Sequence, residues 1–134
     1  MWLYKNKPIL EIPENAYGYV YLITNLTNNR KYIGKKLFWF KKLKVIKGKR
    51  KRFKTESDWQ SYWSSSDELK RDVEILGEQN FKREILHICK NKGTCNYLEA
   101  KEQMLRCVLE SNEYYNSQIQ CRVHKTHVKE IILD

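Results

Sequence analysis

The order of secondary-structure signals predicts an α/β fold: a small, mainly antiparallel three-stranded sheet flanked by helices, with a basic insertion after the second strand. Three observations carry this expectation. Residues 17–24, YGYVYLIT, alternate with the period of a strand. Residues 65–77 carry a helical stripe, Leu69, Val73 and Leu76, between a Ser65/Glu68 capping box and a stop at Gly77. Residues 81–89, FKREILHIC, read as a third strand.

Each element follows in order. The first strand puts Tyr17, Tyr19, Tyr21 and Ile23 on one face and Val20 and Leu22 on the other. Residues 25–29, NLTNN, supply turn chemistry, because asparagine tolerates the left-handed backbone of a tight hairpin. Residues 30–34, RKYIG, return as the second strand. The stretch LFWF and the following KKLKVIKGKRKRFK fit neither a helical nor a strand period along their whole length. Their interleaved aromatics and cations favour an ordered surface for phosphates and bases over a merely solvated loop. Residues 58–64 read as a short helix, and Asn96 as the N-cap of another over about 97–110. The tail after Tyr115 is weakly patterned. With no repeat and no linker, the expectation is one domain over 1–134, its motif-bearing core at 17–116 and its basic insertion at about 35–66.

Charge narrows the partners. The formal net charge of the 134-residue chain is +10, and no acid lies between Glu14 and Glu56, whereas 13 of the 26 Lys and Arg fall between Arg30 and Lys54. Such a local positive field attracts polyanions, nucleic acid first and an acidic membrane surface second. The N-terminal sequence MWLYKNKPIL offers no apolar signal region, and no run is long enough to span a bilayer, so a cytoplasmic protein without membrane association is expected. Cys89, Cys95, Cys107 and Cys121 then read as reduced thiols. They lack the close pairing of common zinc sites. Cys121 with His124 and His127 could supply ligands, against a simpler reading of buried or idle cysteines.

One helical position is anomalous. Leu98, Leu105 and Leu109 form an apolar seam over 97–110 whose missing member is Glu102. An acid on a core-facing seam is costly unless it is paired or coordinated, while an ion pair with Arg106 is the ordinary alternative.

The stretch YVYLITNLTNNRKYIG resembles the motif that names the GIY-YIG nuclease superfamily, with Tyr19-Val20-Tyr21 as its first block and Tyr32-Ile33-Gly34 as its second. The likeness continues through the helix and third strand of 68–86 to Asn116 in YYN, and is nearest to small phage-encoded members similar to homing endonucleases. It implies a metal-dependent DNA endonuclease acting on double-stranded DNA. Glu102 falls where the resemblance implies a carboxylate for a single Mg²⁺ (or Mn²⁺). Tyr21 would act as general base or orient the attacking water, Tyr32 would position it, and Asn116 would hold the geometry. A phenol is a weak base, but a metal and clustered Lys and Arg would favour its anion.

Two departures from the pattern stand out. The glycine of the first block is displaced to Gly18, and no arginine lies between Arg30 and Arg50, where the family's catalytic arginine is expected. Arg52 is the candidate catalytic cation, with Arg50, Lys35 and Lys36 as alternatives. Lys35, Lys36, Lys42, Lys49, Arg50 and Lys51 are the expected DNA contacts. The chain has no room for a separate DNA-binding domain, so specificity would come from the insertion, the tail or a homodimer. A non-catalytic nucleic-acid-binding module that retains the fold is the alternative function.

Overall fold

The structure, a computed structural model, describes residues 1–131; the last three residues of the domain expected over 1–134 lie outside the described residues. In chain order the elements are β1 (Trp2–Tyr4), β2 (Lys7–Pro8), β3 (Gly18–Asn25), β4 (Lys31–Leu37), β5 (Trp39–Ile46), β6 (Lys49–Glu56), α1 (Asp67–Leu76), β7 (Phe81–Cys89) and α2 (Lys92–Leu105). The expected three-stranded sheet is in fact five-stranded, in the order β2-β1-β7-β3-β4. Its antiparallel heart, β7-β3-β4, is the predicted one, and β1 joins it parallel to β7. Three residues of β1 are too few to show a period. Trp2 nonetheless is 1% exposed and donates its indole N–H to the Trp59 carbonyl at 2.7 Å.

The central strand β3 is buried along its whole length, and its alternation divides two cores. Tyr19, Tyr21 and Ile23 pack with Trp2, Phe38, Trp59 and the α1 residues Leu69 and Val73. Val20 and Leu22 pack with Ile33, Cys89, Cys95 and Val108 on the α2 side. Tyr17 departs from the expected face: it precedes β3, packs with the second cluster and donates its backbone N–H to Cys89.

Both helices start elsewhere than the sequence signals suggested. Ser66, not Ser65, caps α1 by accepting the Leu69 N–H at 3.2 Å, and Gly77 ends the helix with φ +92°. Asn91, not Asn96, caps α2 by accepting the Thr94 N–H at 2.8 Å. The buried face also differs from the expected seam. Leu105 and Leu109, expected in the seam, are 70% and 52% exposed, whereas Cys95 and Gln103 are buried. Residues 95, 99 and 103 form the i, i+4 row that faces the sheet.

The basic insertion is an ordered two-stranded ribbon. β5 and β6 pair antiparallel over eight positions, from Trp39 opposite Glu56 to Ile46 opposite Lys49. Lys47 and Gly48 turn the chain with φ +51° and +76°, the positive pair that a type I′ hairpin needs. No strand period was legible because both faces carry lysine. Buried Phe38 anchors the base, where Trp39 donates its indole N–H to the Ala16 carbonyl and Ser57 its backbone N–H to the Phe38 carbonyl.

Candidate active site

The free edge of β4 is where the two faces of the sheet meet. Register pairs Tyr21 with Gly34, and a side chain at Gly34 would strike the Tyr21 hydroxyl, sit 2.6 Å from Tyr21 Cζ and 2.8 Å from Tyr32 Cε1. Only the missing Cβ lets the Tyr21 ring lie across β4. There it stacks on Tyr32, centroids 6.1 Å apart at 30°, and meets Tyr62 edge-on at 6.0 Å. Around the same edge α2 brings Glu99 and Gln103. Tyr21, Tyr32, Lys35, Ser65, Glu99 and Gln103 thus line one cavity of about 230 Å³, together with the exposed Gln118 and Gln120 of the tail.

Hydrogen bonds fix the walls and leave one atom inside unpaired. The Tyr32 hydroxyl bonds Ser65 Oγ at 3.0 Å, a contact that the shift of the α1 cap to Ser66 leaves Ser65 free to make. Lys35 Nζ donates to the Asn96 side-chain oxygen. Asn116 clamps Ile33 in both directions, accepting its N–H at 3.0 Å and donating to its carbonyl at 2.8 Å, while Gln103 Nε2 donates to the same carbonyl at 3.1 Å. Gln103 Oε1 is buried without a hydrogen-bond partner, and the buried Tyr21 Oη has only the Tyr62 hydroxyl to interact with. Buried polar atoms are normally satisfied, so an orphaned amide oxygen and a phenol oxygen with a single phenol partner, beside one carboxylate, leave capacity for a ligand.

Burial also sets protonation. Desolvation pushes the Tyr21 phenol well above the ordinary tyrosine value, and the neighbouring Tyr62 and Tyr32 add to the effect. The sequence expectation is that a metal with clustered Lys and Arg favours its anion; without a metal, burial and the neighbouring phenols favour the neutral hydroxyl. Desolvation raises Glu99 as well, opposed by the Lys35 charge and the Lys35 backbone N–H.

The oxygen set suits a hard divalent cation. Such ions are held by one or two carboxylates while keeping much of their water, which Glu99 with Tyr21 Oη and Gln103 Oε1 would permit. Among the described residues no three His, Cys, Asp or Glu side chains converge. Cys121 instead donates towards the Asn96 carbonyl, and His124 bonds Thr126.

Of the residues singled out in the sequence, Tyr21, Tyr32 and Lys35 enter this cavity, and Asn116 supports its floor through β4. Glu102 does not line it. One turn along α2, Glu102 accepts from Arg106 at 3.1 Å and pairs with His87 at 2.8 Å, and these bonds outweigh desolvation to hold its carboxyl below the ordinary value. Lys36 is engaged by Asp58 at 2.6 Å and lies 4.2 Å over the Tyr62 ring. Arg52 is on β6 opposite Leu43, five pairs out along the exposed ribbon, and the structure does not bring it to the cavity. Lys42, Lys49, Arg50 and Lys51 are exposed on the same ribbon. Sequence reasoning missed Glu99, Gln103 and Ser65. The signal available was the row Cys95, Glu99, Gln103 at four-residue spacing, which becomes visible once Asn91 is taken as the cap.

Residues 2–119 match the family described as "Putative endonuclease segE, GIY-YIG domain". The chain belongs to the GIY-YIG nuclease superfamily. The segE-type domain match begins at Trp2, before the expected 17–116 core, so β1 and the basic ribbon fall within it. No curated protein and no solved structure matches the chain. A GIY-YIG domain is of the endonuclease type, which implies DNA as the substrate class. Among the described residues no helix is long and apolar enough to cross a membrane.

Proposed function

We propose that this GIY-YIG domain is a divalent-cation-dependent endonuclease that hydrolyses phosphodiester bonds of duplex DNA in the β4-edge cavity. The observation that carries the reading is the convergence there of the Tyr21 hydroxyl, the Tyr32 hydroxyl, the Lys35 ammonium and the Glu99 carboxylate. Glu99, with Tyr21 Oη and Gln103 Oε1, would hold Mg²⁺ or Mn²⁺. When bound, that ion supplies Lewis-acid stabilisation of charge at the phosphate. Tyr21, a neutral phenol held over Gly34, orients the attacking water by hydrogen bonding. Tyr32, fixed by Ser65, limits where that water can sit, and Lys35 offsets charge on the phosphoryl oxygens. Asn116 positions β4 without touching the substrate. A homing role for a small phage-encoded enzyme in the host cytoplasm is the setting we propose, with a homodimer as one route to cutting both strands.

A second reading, DNA binding without cleavage, draws on one observation: no arginine lines the cavity among the described residues. Incubating the purified chain with supercoiled plasmid, with Mg²⁺, with Mn²⁺ and with EDTA, separates the two. Nicked or linear product with metal and none with EDTA is expected. Glu99→Gln should abolish it and Glu102→Gln should retain it. The reverse pattern would move the metal to Glu102, and no product under any condition would favour the binding module.

A further inference from the structure

From the geometry of the hairpin we infer that β5–β6 is a duplex-reading arm: a two-stranded ribbon that enters the major groove of B-form DNA beside the cleavage site, one face towards base edges and the other towards phosphates. This rests on the nuclease reading for its substrate, and on the ribbon itself for its mode. The ribbon forms a sheet of its own, and every residue from Phe40 to Lys54 is exposed. Nine of its eighteen residues are Lys or Arg and only Glu56, at its base, is acidic. Apolar side chains cluster on the ribbon as well, and Leu43 and Val45 are 64% and 68% exposed in the middle of this charge. A B-DNA major groove about 12 Å wide admits a two-stranded ribbon, whereas the major groove of A-form RNA is too narrow to be read.

The register sorts the side chains. Opposite residues share a face, so Leu43 and Val45 lie with Arg52 and Arg50, the ribbon's two arginines, and with the Lys41–Lys54 pair nearer the base. The other face carries Lys42, Lys44, Lys49 and Lys51 with Phe53 and Ile46. Arginine presents a planar fork that matches the O6 and N7 acceptors of guanine, and aliphatic groups contact the thymine methyl. Lysine is a point charge on a long stem that reaches phosphates but does not discriminate bases. The arginine face therefore reads and the lysine face holds. Only Phe38 separates β4 from β5. From Lys35 to Leu43 is eight residues, at most about 26–29 Å of extended chain. The bases read should lie within about eight base pairs of the cut, on one side of it.

The test uses the full chain and measures two things. Binding to duplex DNA is followed by fluorescence anisotropy in EDTA across a salt series, and cut positions are mapped on randomised duplexes with Mg²⁺. Arg50→Ala with Arg52→Ala should lower discrimination about tenfold or more at one or two base positions offset from the cut. Lys42, Lys44, Lys49 and Lys51 all changed to Gln should leave base preference intact while flattening the log K against log salt slope by about 3 to 4 units. Guanine N7 methylation, which marks the major groove, should weaken wild-type binding at the same offset positions. All the substituted residues are solvent-exposed, so the variants should fold; circular dichroism checks this. Unchanged preference and unchanged salt slope in these variants, with wild-type cleavage intact, would overturn the arm while leaving the nuclease standing. Equal competition by duplex RNA would also overturn the groove assignment. Absence of cleavage by wild type would instead strike the nuclease reading, and the anisotropy arms would still decide the ribbon.

Discussion

Gly34→Ala tests whether the position of one phenol sets the rate. The added methyl would sit 2.6 Å from Tyr21 Cζ and against its hydroxyl, so the ring must retreat about 0.8 Å to reach ordinary contact at 3.4 Å. It cannot retreat freely, because Tyr32, Tyr62 and Trp2 contact it on three sides. Overpacking of this kind costs about 1–3 kcal/mol, or roughly 4 °C of Tm per kcal/mol for a chain of this size. A misplacement near 1 Å costs about a hundredfold in rate when chemistry depends on alignment. Thermal unfolding and single-turnover cleavage of a labelled duplex, measured on one preparation, give both numbers. Combining Gly34→Ala with Tyr21→Phe makes the reasoning specific: if the methyl acts by moving the hydroxyl, its further effect in the Tyr21→Phe background should be less than about threefold. A folded Gly34→Ala protein that cuts at the wild-type rate would refute the argument, as would simple multiplication of the two losses.

Tyr21→Phe should fold and bind DNA normally yet lose about a hundredfold in single-turnover rate, whereas Tyr19→Phe should lose little, since the Trp59 carbonyl it bonds at 3.3 Å keeps the Trp2 indole. Glu102→Gln should destabilise the protein at neutral pH: its folded carboxyl is held below the ordinary value, so the stability it contributes is present above the unfolded value and fades as pH falls through the folded one, with the gap to wild type in Tm closing accordingly. Glu99→Gln in EDTA should behave oppositely, raising Tm at pH values above the ordinary carboxylate range, because desolvation raises Glu99 and its ionised form opposes folding there. Asn116→Ala should cost about 1–2 kcal/mol by exposing the Ile33 N–H, visible as faster hydrogen exchange along β4.

The elements legible in the sequence were those whose two faces meet different surroundings. β3 is buried on both faces, yet its two faces pack against different cores, and the tyrosine face announces itself. β7 and the α1 stripe were legible for the same reason. The ribbon was not, since period two disappears when both faces meet solvent and both carry lysine. β1 and β2 are too short for any period, and only the burial of Trp2 reveals their place. In the site, the tyrosines were readable because a hairpin fixes their register, whereas the helical acid depended on a cap. Asn96 and Asn91 are both acceptable caps by residue type, but the later one leaves Cys95 outside the helix and hides the row 95, 99, 103, so the leucine seam rotated attention by three residues, from Glu99 to Glu102.

That rotation shows how the two glutamates divide their work. On a helix, three residues turn a side chain by about 300°, so Glu99 and Glu102 are neighbours on adjoining stripes, and a small change of face separates them. Glu102 points to His87 on β7 and to Arg106, which satisfy both its oxygens, so a metal there would have to break two charge-assisted bonds. Glu99 is less exposed to such partners: it faces Lys35 across the cavity and lies near enough to Tyr32 and Tyr62 to raise both phenols. A carboxylate that is desolvated and incompletely paired is strained by its own charge, and a divalent cation relieves that strain where a lysine only reduces it. The same residue that opposes folding in the free protein is thus the one with most to gain from binding metal, so added Mg²⁺ should raise the Tm of the wild type and leave that of Glu99→Gln unmoved. A Mg²⁺-dependent rise that survives Glu99→Gln but is lost in Glu102→Gln would assign the ion to the other stripe.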